Sequence, residues 1–453
     1  MAATHEDLVR QQQLELQSEY LRGSRRLRWD AERLASERQR RLRELIAWSA
    51  EHSPFWRARL AGIDPATFTE ADLPSLPILR RDEMMGEFDR LITVPGLTLT
   101  RVMEHVKQVD SGDQLLDGRF RAIRTSGATG SEAYHLYGAD AFVTFVMQGS
   151  RWTGRRGESP DAVLAQIFSC SPQHESGIFH AFSTFTSGGP PSHCFDGGTS
   201  VPDLVAQLNA AEPPVEALQG WPSVIRLLAH EALAGRLKHV PAWVSVAGEV
   251  CSPLVRDAVH AAWGLELSEF WGCCEGTYAF PCGVGEGMHI ADDLVILETV
   301  DASGNPVPYG QPADRVLLTN LYNLDQPLIR YDIADAMIIT DEPCPCGCAH
   351  RRILDVSARM DGVVELPDGV RVERRRFETL LLAFPGVADF LVTPSGRGVD
   401  VAVATDGACN TDELARSLVN LLADHGLASP VVHVRLVEAP ERLWSGKVKQ
   451  FAQ

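Results

Sequence analysis

No stretch of this chain reaches the roughly 18 consecutive apolar residues that a membrane-crossing helix needs, which excludes a helical membrane span. Basic charge is also in short supply: 42 Lys and Arg stand against 60 Asp and Glu, a formal net charge of −18. A nucleic-acid-binding surface needs clustered cations, so that class is excluded as well. The local run Arg374-Arg375-Arg376 reads as a solvated helix face. Internal repeats and low-complexity segments are absent, which removes solenoid and disordered-tail architectures. The opening MAATHEDLVRQQQ lacks the apolar segment of a secretory leader, so a cytoplasmic protein is expected. No lysine follows Gly130 in the loop Thr125–Gly130, so this is not a P-loop of the Gly-Lys-Ser/Thr kind.

What is present describes an ordinary globular enzyme-sized chain. Its 453 residues suit two or three domains, and 45% hydrophobic with 23% charged residues supplies a large core. From about residue 120 to 340, β-type runs (VSVAG, LVILETV, RVLLTNL, AMIIT) alternate with helical ones (VPDLVAQLNAAE, PSVIRLLAHEALAG, PLVRDAVHAAWG). That alternation predicts an α/β fold of layered sheets and helices. After Asp361 the chain changes character. The turn Pro367-Asp368-Gly369, the helix RRRFETLLLAF, the strands ADFLVTPS and VDVAVAT, and the helix TDELARSLVNLLADHG predict a small α+β domain. The boundaries are therefore 1–360 for a large N-terminal domain and 361–453 for a small C-terminal one. Residues 1–35 form a helical extension that serves as an accessory helix or a homodimer contact; the residues leave both open.

Ten cysteines in such a chain suggest buried thiols and metal ligands more than a disulfide framework. Cys344-Pro-Cys346-Gly-Cys348 has the compact spacing of a metal knuckle, though one C-x-C pair supplies only part of a tetrahedral site. Cys282 and His289 form a C-x6-H pair. Cys273 and Cys274 read as packing residues.

The loop Thr125-Ser126-Gly127-Ala128-Thr129-Gly130 is a candidate phosphate cradle. Its glycines allow close backbone approach, and its hydroxyls and successive N–H groups can wrap oxyanions without a fixed cation. Further segments recur in a fixed order: RELIAWSAEHSPFWRARL, LPSLPILRRDEM, VSVAGEVCSP, EFWGCCEG, QPLIRYDIAD, SARMDG and LWSGKVKQ. Together with the loop, they resemble the adenylate-forming enzymes, and among those the phenylacetate–CoA ligase-like family. The resemblance runs from about Glu37 to the end of the chain.

That resemblance implies an enzyme, an adenylate-forming acid–thiol ligase whose small, mobile C-terminal domain hinges at Asp361. It would activate an aromatic carboxylic acid with ATP and Mg2+ as an acyl-adenylate and transfer it to coenzyme A. Ser126, Gly127, Thr129 and Gly130 match the phosphate loop, although Ala128 replaces a usual threonine. Ala247, Gly248, Glu249, Phe270, Trp271 and Gly272 match segments around adenine. Asp335 matches the carboxylate that accepts from both ribose hydroxyls, with Asp332 as near competitor. Arg359 matches an arginine reaching ribose or phosphate. Glu275 matches the magnesium-binding carboxylate, and Lys447 the lysine between carboxylate and α-phosphate, with Lys449 two residues on. Lys447, Glu275 and Thr129 thus carry catalysis. Some members of the family hold a structural zinc at positions matching Cys282, His289, Cys344 and Cys346; Cys348 stands nearby as a substitute ligand. For the acyl pocket the candidates are Tyr134, Phe168, His174, Trp221 and Phe270, with His180 as a polar orienter.

Two other readings accompany this one. The same adenylation can serve an amine or a carrier-protein thiol as acceptor. A non-catalytic binding protein stabilised by zinc is the alternative from another class, suggested by the departures at Ala128, Ala358 and Gly362 and opposed by Glu275, Asp335 and Lys447 together.

Overall fold

Short strands separated by amphipathic helices assemble a five-stranded parallel sheet in the middle of the chain. Its order is Ser192–Asp196, Leu164–Phe168, Ala217–Gly220, Trp243–Val246 and Ser268–Glu269. Parallel neighbours require crossovers. Helices Glu175–Phe185, Val201–Asn209, Pro222–Leu233 and Pro253–Trp263 provide them. Proline opens the last two, where its missing N–H leaves no helical bond unmade. Leu204, Leu208, Leu218, Ile225, Leu228, Val244 and Val259 fill the space between sheet and helices. The strand order reverses between Leu164–Phe168 and Ala217–Gly220. In open α/β sheets ligands bind outside the carboxyl ends of the strands at such a reversal.

The coordinates are a computed structural model that describes residues 5–110, 114–125, 132–152, 159, 162–185, 192–357, 363–405, 407–438 and 449–452.

After the parallel sheet the chain turns antiparallel. A six-stranded sheet has the order Pro312–Ala313, Ala336–Thr340, Arg352–Ser357, Met288–Ile290, Thr277–Pro281 and Trp271–Cys273. A three-stranded sheet, Val295–Val300, Arg315–Asn320 and Tyr331–Asp332, packs beside it on helices Ala31–His52 and Pro54–Arg59 through Leu42, Leu45, Ile46 and Trp56. Strands Arg121–Thr125 and Ala133–Tyr137 pair antiparallel, Thr125 opposite Ala133. These sheets and helices are an α/β assembly of the kind the alternation predicted.

Residues 363–405, 407–438 and 449–452 build their own core. Strands Val387–Ser395, Gly398–Thr405 and Val431–Val437 form a sheet covered by helices Arg374–Ala383 and Thr411–Asp424. The terminal residues are tied to it: Val392 N donates to Gln450 O at 2.8 Å, Ala452 N to Val392 O at 2.9 Å, and Phe451 packs edge-on to Phe390.

The extension forms a helix, His5–Arg26, lying against the helix Ala139–Ser150. Its last turn is held electrostatically. Arg26 reaches Asp293 at 3.4 Å, beside the buried pair of Arg151 with Asp293 at 2.8 Å. Burial pushes the Asp293 pKa up, but Arg151 and Arg26 outweigh it and hold the carboxyl well below the usual carboxylate range.

One disulfide, Cys170–Cys194, joins neighbouring segments whose Cα atoms lie 6.0 Å apart. The spacing in sequence did not point to it, because adjacency of the two segments comes from the parallel sheet. The other eight cysteines are outside any disulfide. No helix among the described residues is long and apolar enough to cross a membrane.

Candidate active site and metal cluster

The segment EFWGCCEG folds as a tight hairpin at the edge of the parallel sheet. Ser268–Glu269 is the last parallel strand, and the chain continues directly into Trp271–Cys273, which pairs with Thr277–Pro281. Two glycines make this possible. Gly276 sits at φ +112° in the turn, a conformation side chains rarely adopt, and an added Cβ would lie 2.2 Å from Asn320 Nδ2. Gly272 lies opposite Tyr278, whose ring covers it; a Cβ there would come within 2.1 Å of the ring.

Glu275 stands in the turn and is only 3% exposed. Asn320 Nδ2 donates to its backbone oxygen at 2.9 Å. Its carboxyl faces two groups that the sequence reading assigned no role. Arg81 lies 3.8 Å away and His135 Nε2 3.7 Å away. Burial lowers the His135 pKa, and the neighbouring Glu275 offsets this only in part. The ring is therefore neutral at pH 7, and Arg81 is the cation of the cluster. Arg81 lies in LPSLPILRRDEM, already singled out, and His135 on the strand Ala133–Tyr137, but nothing local marks either as facing Glu275.

Trp271 Nε1 donates to Asp335 Oδ2 at 2.9 Å, so the predicted ribose carboxylate is joined to the same hairpin as Glu275. Asp332, the competitor, is taken up elsewhere: it faces Arg315 at 3.4 Å and Arg80 at 3.7 Å and accepts from Ala334 N. Ala247, Gly248 and Glu249 follow the strand Trp243–Val246 at its carboxyl end. Ala247 N donates to Gly220 O, Gly248 is exposed, and Glu249 Oε2 accepts from Ser223 N at the start of the helix Pro222–Leu233. Phe270 N donates to Val246 O, and its ring stacks on Phe280 with centroids 5.1 Å apart. Ala247, Gly248, Phe270, Trp271, Glu275 and Asp335 thus gather along one edge.

Ser126, Gly127, Thr129, Gly130, Arg359, Asp361 and Lys447, with Ala128, lie outside the described residues. The strands flanking the loop are described. Arg124 N donates to Gln173 O at 2.9 Å, Arg124 Nη1 to Gln173 Oε1 at 2.8 Å, and Arg124 also pairs with Glu132.

The acyl-pocket candidates separate. Trp221 is 1% exposed inside the core of the parallel sheet, and Phe168 meets it edge-on. Tyr134 is 4% exposed in a cluster with Phe88, Val102 and Leu136, its hydroxyl donating to Glu132. Packing buries both Trp221, at the start of the helix Pro222–Leu233, and Tyr134, on the strand Ala133–Tyr137. Phe168, His174 and Phe270 stay half-buried. His174 Nδ1 lies 2.9 Å from Ser176 Oγ, and His180 Nδ1 lies 3.4 Å from Ser192 Oγ. A neighbouring group was missed by the sequence reading. Glu175 accepts from the Cys274 thiol at 3.0 Å and from the Tyr278 hydroxyl.

A second constellation lies at the other end of the six-stranded sheet. The ligand atoms of Cys282, His289, Cys344 and Cys346 all fall within 4.8 Å of one another. Cys282 Sγ and Cys344 Sγ are 3.7 Å apart, and Cys346 Sγ is 3.4 Å from His289 Nε2. A tetrahedron with metal–sulfur bonds of about 2.3 Å has edges of about 3.8 Å, so a three-sulfur, one-nitrogen set of this size fits zinc. His289 Nδ1 donates to His350 O at 2.8 Å, which leaves Nε2 turned toward the sulfurs. Gly285 N and Cys348 N donate to the sulfurs of Cys282 and Cys346. Trp152 stacks on the His289 ring at 5.0 Å. Burial pushes the His289 pKa down to about 4 and the Cys346 thiol up to about 12, while backbone N–H groups and neighbouring thiols bring Cys282 below its ordinary value despite burial. Cys348 packs in the adjoining hydrophobic cluster and is outside the four.

No family model matches the chain. In sequence it is 24% identical, over 388 residues, to phenylacetate–coenzyme A ligase of Thermus thermophilus, covering 79% of this chain and 77% of that protein. In structure it is similar to 2-hydroxyisobutyryl-CoA ligase in complex with 2-HIB-AMP in the postadenylation state. That likeness has a TM-score of 0.69 and 19% identity over 94% of this chain and 91% of the other. It is also similar to an anthranilate CoA ligase in complex with anthranoyl-AMP, with a TM-score of 0.51 and 14% identity over 72% and 65% of the two chains. The chain has the fold of the adenylate-forming CoA ligases and is related to phenylacetate–coenzyme A ligase.

Proposed function

We propose that the protein joins an aromatic carboxylic acid to ATP and passes the acyl group to coenzyme A. The observation that carries this reading is the hydrogen bond that joins Asp335 to Trp271 of the hairpin whose turn holds Glu275, at the edge of the parallel sheet, in a chain related to a CoA ligase. In the first step a carboxylate oxygen attacks the α-phosphorus. The new O–P bond forms as the α–β phosphoanhydride breaks, and pyrophosphate leaves. In the second step the coenzyme A sulfur, as thiolate, attacks the acyl carbon, and AMP departs with the bonding electrons.

The chain supplies a group for each task. Asp335 accepts from the ribose hydroxyls while Trp271 holds its carboxyl in place. Ala247, Gly248, Glu249, Phe270 and Gly272 line the nucleotide. Ser126, Gly127, Thr129 and Gly130 wrap the leaving phosphates, and Arg359 reaches ribose or phosphate. Lys447, carried by the small domain, stands between two approaching anions and lowers the cost of their contact. The small domain turns about Asp361 to admit the thiol, which keeps the labile anhydride away from water between steps. Glu275 offers the carboxylate oxygen that a hard divalent cation prefers; it would hold magnesium, which would supply charge neutralisation for the leaving pyrophosphate. Cys282, His289, Cys344 and Cys346 would hold a structural zinc that ties the turn after Pro281 to the turn after Thr340. Phe168, His174 and Phe270 face the acid.

The test is exchange of radiolabelled pyrophosphate into ATP across aryl and short aliphatic acids, followed by mass spectrometry with CoA, amines or a carrier protein as acceptor. Acid-dependent exchange and an acyl-CoA product are expected. Absence of exchange with every acid overturns the adenylation reading. Exchange that ends in an amide or a loaded carrier moves the acceptor.

A further inference from the structure

Beside the Glu275 hairpin, aromatic rings fall into two groups. Tyr137, Phe142, Phe145 and Phe182 are fully buried, at 1% exposure or less. Phe179, Phe270 and Tyr278 are only half-buried, as are Cys274 and Glu175. The half-buried rings form a continuous wall: Tyr278 lies 6.1 Å from Phe179 and 6.3 Å from Phe270, centroid to centroid. The wall starts at Phe270, next to the Trp271 that holds Asp335, and it ends at Glu175, on the first turn of the helix Glu175–Phe185.

Glu175 is joined to the hairpin by Cys274, the residue preceding Glu275, whose thiol donates to Oε2 at 3.0 Å. The Tyr278 hydroxyl donates to Oε1. These two donors, among the described residues, mark the carboxyl as a hydrogen-bond acceptor at the end of the wall. An unsubstituted aryl acid lying on this wall would bury a polar carboxyl against ring C–H groups, which is unfavourable.

We propose that Glu175 is a specificity-determining residue, and that the acid activated here is an aryl acid carrying a hydrogen-bond-donating substituent, an amino or hydroxyl group, directed at the Glu175 carboxyl. This rests on the adenylation reading above. The ring of the acid lies along Phe179, Tyr278 and Phe270, with its carboxylate toward the hairpin and its donor toward Glu175. A site built to accept a hydrogen bond rejects the analogue that lacks the donor more strongly than an apolar pocket rejects a missing methylene.

The experiment compares pyrophosphate exchange for benzoate and phenylacetate with their amino-, hydroxy- and methyl-substituted counterparts, in the wild type, Glu175→Gln and Glu175→Leu. The expected result is a preference of at least about tenfold in kcat/KM for amino or hydroxy acids over the methyl isosteres in the wild type. In Glu175→Leu that preference collapses or inverts, and Glu175→Gln, which keeps an acceptor oxygen, retains part of it. Exchange supported equally by methyl and amino or hydroxy acids in the wild type overturns the proposal while leaving adenylation standing, and it does so even where a variant fails to fold. An unchanged preference in a folded Glu175→Leu also overturns it. No exchange with any acid is the separate failure of the adenylation reading.

Discussion

Trp271 and Asp335 are 64 residues apart in sequence, and the indole Nε1 of one donates to the carboxylate Oδ2 of the other at 2.9 Å. This bond joins two motifs that the sequence shows only separately. Asp335 is 8% exposed, so its carboxyl has few conformations left once the indole holds it. The indole thereby fixes the orientation of the Asp335 carboxyl.

Trp271→Phe retains the ring and removes the donor. A hydrogen bond to a charged group contributes about 1.5–3 kcal/mol, so kcat/KM for ATP in pyrophosphate exchange should fall by about tenfold or more. Asp335→Ala should fall further. An unchanged ATP dependence in Trp271→Phe would show that the indole does not position Asp335.

Purified without chelator, the protein should contain close to one equivalent of zinc by elemental analysis. Cys344→Ser should lower that content and the melting temperature together, because metal binding and folding of the two turns share one free energy. Wild-type protein free of zinc would discard the cluster as a metal centre.

Two buried histidines outside the metal cluster predict acid sensitivity. His135 and His350 both have pKa values lowered by burial. Each binds a proton more readily when unfolded, at about pH 6.5. Stability from these groups is therefore present above pH 6.5 and lost as pH falls below it. Urea midpoints at pH 7.5 and pH 5 should differ, with the lower value at pH 5. A midpoint that stays level across that window would contradict the assignment.

The link between the N-terminal helix and the rest rests on Asp293. Arg151→Met leaves a fully buried carboxylate without its closest cation, and removing one partner of a buried pair costs about 3–5 kcal/mol. Arg26→Met should cost less, because Arg26 stands at 3.4 Å and is partly exposed. Chemical denaturation of both variants would rank them. Equal losses would mean that the helix contributes as much as the buried pair.

Much of the architecture was legible from local pattern. Alternating apolar strands and amphipathic helices predicted the α/β layering. Motif order pointed to the relatives later found in sequence and in structure. The acyl-pocket candidates were less legible. Trp221 and Tyr134 look the same in sequence as Phe168 and Phe270, and only burial separates rings that pack from rings that stay accessible. Arg81, His135 and Glu175 carry no local signal of their partners. The disulfide between Cys170 and Cys194 was equally silent, because two parallel strands bring those cysteines together.

The sequence by itself determined the chemistry on offer: which carboxylates, hydroxyls, thiols and imidazole the chain carries, and in what order along it. Such properties are local, set by residue type and by spacing within a turn or a strand. Only the tertiary structure decided which of them meet. Glu275 faces Arg81 and His135, Cys274 reaches Glu175, and His289 joins three cysteines because distant segments lie side by side in the sheets. Packing of those segments is a property of the whole core, and no single motif encodes it.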